Sequence, residues 1–374
     1  MSRFLFVLWD GGGNVPPALA LAARLATRGH SIRVLGERSL RRGAAAAGCA
    51  FRCFERAPEW ADPRAQFSWP YLQGLWFGRE AGEDLLSELD REGADAVVVD
   101  FVLLGALAAA ELSGTPTAAL VHTLYHLNVE GEWLSDWEED LPLLAETRAH
   151  FGLDGFESGS RLWDRVSEVL VLVPRALDAP VTKLPKNVHY VGPILEPAPV
   201  TNLALPDGPG PLILVAFSTT YMKQEAPLQR VLDALAPLPV RGLLTLGPAV
   251  ERGAVEPPPN VAVRRLVPHA AVLPQAGLVV THAGMSTVMA ALTHGVPLVC
   301  LPQGRDQGPN AVRVQACGAG LALSGDARPA EIRAAVERVL SSPGFGRAAR
   351  HMAGVIRRYG NGARAVDRLE ALAR

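Results

Sequence analysis

The sequence predicts an α/β protein made of two parallel-sheet domains, and three observations carry that expectation. Short runs of Val, Leu and Ile alternate with Ala-, Leu- and Arg-rich segments of helical spacing, the order produced by strands joined through crossover helices. Most of those runs are apolar throughout, as strands covered on both faces are. From Pro193 to Pro211 there are six prolines in nineteen residues, with Asp207-Gly208 and Gly210 among them. Neither a helix nor an inner strand continues through such a stretch, so it reads as a linker. A length of 374 residues suits two domains of roughly 150 residues each.

The elements follow in order. Phe4–Trp9 is an apolar run closed by Asp10; with Arg3 the one positive charge before it, it is shorter than a signal-peptide core and reads as a strand. Pro17–Gly29 carries apolar residues at helical spacing and stops on a glycine suited to the C′ position. Ser31–Leu35, Asp95–Phe101, Thr117–His122 and Val169–Val173 read as further strands of the first half. The longest apolar stretch, Ala96 to Leu112, contains Asp100 and falls short of the ~20 residues a membrane span needs. Beyond the linker, Pro211–Ser218, Gly242–Gly247, Leu278–Thr281 and Pro297–Leu301 resume the series, and Pro257–Pro259 separates two of its elements. Phe345 to Arg374 reads as one or two amphipathic helices. The expected division is 1–195, a linker at 196–210, 211–350, and a C-terminal helix within 351–374.

Composition excludes several functions. With 36 basic against 38 acidic side chains and a net charge of −2, the chain carries no electrostatic footprint for nucleic acid, and no Lys/Arg block suggests anionic lipid. At 49% hydrophobic residues it is too apolar for a disordered protein. Cys49, Cys53, Cys300 and Cys317 are too few for a disulfide scaffold and lack a metal-ligand pattern, so they read as free thiols of a cytoplasmic protein. All seven tryptophans precede the linker. Trp60, Trp69, Trp76, Trp133 and Trp137 fall outside the strand runs, which suggests a pocket for a flat, apolar ligand as well as core filling.

The strongest local pattern is Leu278-Val-Val-Thr-His282-Ala-Gly284-Met285-Ser286-Thr287. A strand ends, a turn of small residues follows, and Ser286 or Thr287 is expected to cap the next helix. Backbone N–H groups and the positive end of a helix dipole then converge, as a phosphate site requires, and His282 adds a donor. Asp306 and Gln307 follow another buried strand, at the carboxyl edge where parallel sheets bind ligands. A carboxylate beside a carboxamide suits neighbouring sugar hydroxyls. Asp136-Trp137-Glu138 has the outline of a metal-binding DxD motif but reads as a solvated or cleft loop.

Val267-Pro268-His269, His282-Ala-Gly284-Met285-Ser286-Thr287, Gly295-Val-Pro297 and Asp306-Gln307-x-x-Asn310, in that order, resemble the signature of nucleotide-sugar glycosyltransferases of the GT-B fold. Bacterial natural-product and macrolide glycosyltransferases are the most similar. Tyr190-Val-Gly192-Pro193, Phe217-Ser218-Thr219-Thr220, and Gly13-Asn14-Val-Pro16-Pro17 leading to Arg28-Gly29-His30 extend the resemblance over nearly the whole chain. It implies two Rossmann-like domains facing across a cleft, with acceptor bound by the first, nucleotide-sugar donor by the second, and the C-terminal helix returning to the first. It implies donor contacts from Ser218, Thr219, Thr220, Val267, His269, His282, Gly284, Met285, Ser286, Thr287, Asp306 and Gln307, with neither a metal nor a bound cofactor. Trp60, Trp69, Trp76, His126 and Trp133 are the expected acceptor residues.

Two departures from the family pattern matter. The family's catalytic His, in a Gly-His-x-x-Pro loop, is Asn14 here, although the aspartate that normally orients it is kept as Asp100. An amide accepts a hydrogen bond but takes no proton at neutral pH. Asp100 is therefore the first choice as base; His122 or His126 reaching in from the next strand end, or an acceptor acidic enough to need little help, are the other routes. The ribose-binding Glu of many UDP-sugar users, eight residues after the phosphate-site His, is Ala290, which tilts the donor toward dTDP over UDP. The expected reaction is inverting transfer by single displacement. Asn14 keeps open a nucleotide-sugar-binding accessory protein with little transferase activity, and the shared fold keeps open an epimerase.

Overall fold

The computed structural model describes residues 1–59, 68–196, 205–220 and 222–374. They form two compact units: one takes the chain up to Leu195 together with Tyr359–Arg374, the other runs from Glu196 to Arg358. The expected linker lies largely outside the described residues, as does Trp60. The chain re-enters the first unit at Tyr359, later than the boundary expected at residue 351. The reason is a break between two helices, Pro343–Arg357 and Ala363–Leu372. Gly360, Asn361 and Gly362 between them all have positive φ, which ends the first helix.

The first unit contains β1 (Arg3–Leu8), β2 (Ser31–Gly36), β3 (Ala50–Cys53), β4 (Ala96–Asp100), β5 (Thr117–Val121), β6 (Glu168–Val171) and β7 (Val188–Tyr190). All pair in parallel in the order β3-β2-β1-β4-β5-β6-β7. The inner strands β1, β4 and β5 are buried almost throughout, which accounts for their unbroken apolar sequences. Phe4, Phe6 and Leu8 pack on Leu21 and Leu25 of the helix Val15–Thr27 and on Ala365, Val366 and Leu369 of the last helix. That last helix is tied down by Arg28 to Asp367 and Glu370 and by a two-pronged Arg368–Glu168 pair at 2.7 and 2.8 Å. Gly192 has a φ of +73, and a Cβ there would stand 2.5 Å from the Tyr359 ring, so only glycine lets that ring close over the chain.

The second unit contains β8 (Leu212–Ala216), β9 (Arg241–Thr245), β10 (Val261–Arg264), β11 (Ala276–Thr281), β12 (Leu298–Cys300) and β13 (Gly320–Ala322). They form a second parallel sheet, β10-β9-β8-β11-β12-β13. In each sheet the strand order reverses once, between β1 and β4 and between β8 and β11. Loops leaving the carboxyl ends of those strands diverge to opposite faces and open a crevice, the usual ligand position of such sheets. The four cysteines are free thiols. Asp136-Trp137-Glu138 lies within the helix Trp133–His150 rather than on a loop, with Trp137 buried and Glu138 holding Ser158 and Gly159. Among the described residues no helix is long and apolar enough to cross a membrane.

Candidate functional site

In the second unit, the turn after β11 meets the loops that follow β8 and β12. His282 is 7% exposed. Its ring stacks on Phe217, centroids 5.8 Å apart, and Nδ1 lies 3.3 Å from the Thr281 hydroxyl. Thr281 also receives the Ala283 amide. Ala283 adopts a φ of +68, a conformation costly for a residue with a Cβ. Asn310, fully buried, holds it there by donating Nδ2 to the Ala283 carbonyl at 3.1 Å. A Cβ on Gly284 would stand 2.5 Å from His282 Nε2, so this nitrogen lies directly over the turn that opens the helix Met285–Thr293.

That helix starts at Gly284 as N-cap, and no side chain caps it. Ser286 and Thr287 therefore occupy its first turn and are not the caps expected from sequence; a glycine has no side-chain oxygen to turn back on the helix. The Thr287 amide turns back to the Gly284 carbonyl at 3.0 Å, and the positive end of the helix dipole is directed at the turn, where it favours an anion. Ser218 is buried, its hydroxyl 2.9 Å from that of Thr220, while Thr219 is exposed. Gln224, wholly buried, pins this loop through the Ser218 carbonyl. Met285 and Val267 are buried, so their side chains serve packing; His269, half-buried, begins a four-residue helix. The expected sugar-binding pair is divided. Asp306 is the half-buried N-cap of the helix Gln307–Ala316. Gln307 is 2% exposed, accepting the Gln303 amide at 2.7 Å and donating toward the Met222 sulfur at 3.3 Å. Both ends of its amide shape the loop.

Burial lowers the His282 pKa to about 4, with the positive charges of Arg305 and His269 acting in the same direction and the Ala216 carbonyl opposing. The ring is thus neutral at pH 7. The unfolded chain, with an imidazole near 6.5, takes up this proton first as pH falls. Stability from the neutral ring is complete above about pH 6.5 and lost between there and about pH 4, a loss of about 3 kcal/mol. His282→Gln should flatten that part of the acid dependence in denaturant titrations at pH 7 and pH 4.5. An unchanged acid slope would show that the ring is not held neutral.

In the first unit, the switch point between β1 and β4 brings together residues that sequence separates widely. Asn14 is 4% exposed and donates Nδ2 both to the Trp9 carbonyl at 2.9 Å and to Asp100 Oδ2 at 2.8 Å. Two acceptors fix the amide's orientation, which leaves Oδ1 buried without a donor. His122, just beyond β5, brings Nδ1 to 3.4 Å from the same Asp100 oxygen. His126 stands apart, half-buried on the helix Tyr125–Val129, its amide N–H directed to Asp178.

The tryptophans form a continuous contact path. Trp9 meets Trp76 at 5.4 Å, Trp76 meets Trp137 at 6.2 Å, Trp137 meets Trp163 at 6.0 Å, and Trp163 meets Phe101 at 5.8 Å. Phe101 contacts the His122 ring edge-on at 5.0 Å. Trp69 and Trp133 flank this path. Trp76 and Trp137 are buried, so the expectation that they line an open pocket is corrected: they are core. Trp69, 44% exposed, and half-buried Trp133 are the described members with surface to offer. Among the described residues, no group of three or more His, Cys, Asp or Glu gathers to hold a metal.

Residues 229–372 match the family model described as erythromycin biosynthesis protein CIII-like, C-terminal domain. The chain is 28% identical to 4'-demethylrebeccamycin synthase of Lentzea aerocolonigenes over 92% of its own length and 93% of that protein. It is 34% identical to demethyllactenocin mycarosyltransferase of Streptomyces fradiae over 49% of this chain and 41% of that one. Among solved structures, the glycosyltransferase of kitacinnamycin superposes with a TM-score of 0.84 at 24% identity, covering 99% of this chain and 98% of that one. Spinosyn rhamnosyltransferase SpnG complexed with thymidine diphosphate superposes with a TM-score of 0.76 at 21% identity, covering 99% and 100%.

Proposed function

We propose that this chain, a GT-B glycosyltransferase similar to those of antibiotic pathways, moves a hexose or deoxyhexose from a dTDP- or UDP-sugar to an apolar or aromatic acceptor. The transfer is a single inverting displacement that needs no metal. One observation carries the reading: a neutral, buried His282 sits with Nε2 over Gly284, the glycine N-cap of a helix that starts beside the switch point of its sheet. As the glycosidic bond to phosphate breaks, negative charge grows on the departing diphosphate. Oriented donors and a helix N-terminus stabilise that charge without reorganising, which lowers the barrier.

The preference for dTDP rests on Ala290, one helical turn beyond Ser286, which offers no oxygen to a ribose 2′-hydroxyl. The thymidine diphosphate bound by SpnG supports the same choice. On the acceptor side, Trp69 and Trp133 offer flat apolar surface beside the buried tryptophan path.

The test is a thermal-shift titration with dTDP, UDP, GDP and ADP in EDTA. A ligand bound only by the folded state raises stability by RT ln(1 + [L]/Kd), about 2.7 kcal/mol at a hundredfold excess over Kd. A shift with dTDP exceeding that with UDP is expected. No shift with any of the four would overturn the donor site, and tenfold tighter binding of UDP would reverse the donor preference. Binding of dTDP without turnover on any aromatic acceptor would turn the reading to an accessory protein.

A further inference from the structure

We infer that His122 takes the acceptor's proton, that Asp100 orients the His122 ring, and that Asn14 fixes Asp100. This rests on the transferase reading above and assigns its missing base. Asn14 stands where the resemblance places a histidine, and its amide is already committed to the Trp9 carbonyl and Asp100. Asp100 is no better placed to reach an acceptor. Its side chain is 3% exposed; Oδ2 faces both Asn14 and His122, and Oδ1 is turned to the Val102 amide at 3.4 Å. A carboxylate surrounded this way is arranged to orient a neighbour.

His122 has the complementary arrangement. Asp100 pairs with Leu120 across β4 and β5, so His122 leaves the neighbouring strand two residues further on, at the same sheet edge. Nδ1 is buried, yet the side chain as a whole keeps 23% of its surface. The exposed part is the opposite edge of the ring, which carries Nε2, and Nε2 has no hydrogen-bond partner among the described residues. Contact with Phe101, which is itself anchored through its carbonyl to the Trp163 indole N–H at 2.9 Å, limits rotation. A carboxylate at Nδ1 selects the tautomer with the proton on Nδ1 and leaves the Nε2 lone pair as the base. The 3.4 Å separation is long for a hydrogen bond, as such pairs often are before substrate binds.

The step balances as follows. A lone pair of the acceptor's O–H or N–H attacks the anomeric carbon as the bond from that carbon to the phosphate oxygen breaks. The bonding electrons leave with the nucleoside diphosphate. The acceptor proton passes to His122 Nε2, and the resulting imidazolium is held against the Asp100 carboxylate until the proton is lost to solvent from the exposed ring edge.

Two measurements test this. Long-range 1H–15N correlation spectra of histidine-labelled protein, with His122 assigned by its absence in His122→Gln, read the tautomer without any acceptor. The Nδ1–H form is expected, with the preference lost in Asp100→Asn; an Nε2–H form in the wild type would overturn the assignment. Turnover is then followed with dTDP-glucose and simple phenols of graded acidity. His122→Gln should lose about 10²–10⁴-fold on the least acidic phenol and less on the most acidic, while the dTDP thermal shift is kept. A variant that shifts normally and turns over at the wild-type rate would also overturn it. Failure of dTDP to stabilise the wild type would count against the transferase reading alone, since the tautomer is read independently.

Discussion

Asp100→Asn is expected to reduce turnover by about three to four orders of magnitude while leaving the dTDP thermal shift unchanged; oriented His–carboxylate pairs elsewhere lose on that order when the carboxylate becomes an amide. The substitution preserves shape, so folding should survive, but it removes two things at once. The imidazolium formed on His122 loses its counter-charge, and the ring is no longer held in the tautomer that leaves Nε2 free. An amide at position 100 must also choose which group to turn toward Asn14 Nδ2 and His122 Nδ1, now 2.8 and 3.4 Å from one carboxylate oxygen. Steady-state rates with saturating donor, beside a circular dichroism spectrum, decide the matter. A loss of less than tenfold would mean that Asp100 neither orients a base nor acts as one.

Gly284→Ala is the second large effect, and it falls on the other unit. The new methyl would stand 2.5 Å from His282 Nε2 and 3.0 Å from Cε1. The ring has little room to withdraw, because Phe217 stacks on it and Nδ1 is held beside Thr281. The imidazole must therefore turn away from the helix start, separating the ring from the positive end of the helix dipole. Affinity for dTDP should weaken about a hundredfold, equivalent to roughly 2.7 kcal/mol, read by calorimetry. Gly253→Ala, where the added methyl meets nothing within 4 Å, is the control and should bind normally. Retained affinity in Gly284→Ala would show that His282 and the helix terminus do not act on one ligand.

Much of the fold was legible because burial writes itself into local composition. The strands absent from the sequence reading are β3, β7, β10 and β13, which are the four outer strands of the two sheets. Outer strands pair on one side only, and these are only partly buried; short segments such as Ala50-Phe-Arg-Cys53 and Val188-His-Tyr190 carry no continuous apolar run. Helix starts failed for a different reason. Ser286 and Thr287 are residues that cap helices, but the cap is set by where the chain leaves the β region, and Ala283 and Gly284 make that turn earlier. Gln307 had the chemistry of a sugar contact, yet folding turned it inward toward Gln303 and Met222.

The candidate site divides along the same line. Residues contiguous in the chain, from His282 to Thr287, could be assembled from sequence because one strand, one turn and one helix hold them. The α/β class and the positions of the inner strands along the chain were legible likewise, since apolar runs act on their own stretch of chain. The pairing of Asn14, Asp100 and His122 has no local signature: it depends on β1, β4 and β5 lying side by side in register. Which face of His122 is buried, and therefore which nitrogen is left to act as base, depends on Phe101, Trp163 and Asp100 closing around it. Asn14 and Asp100 were expected together through the family resemblance alone; the contacts that fix the His122 ring exist only after the sheet has formed, so tertiary structure determined them.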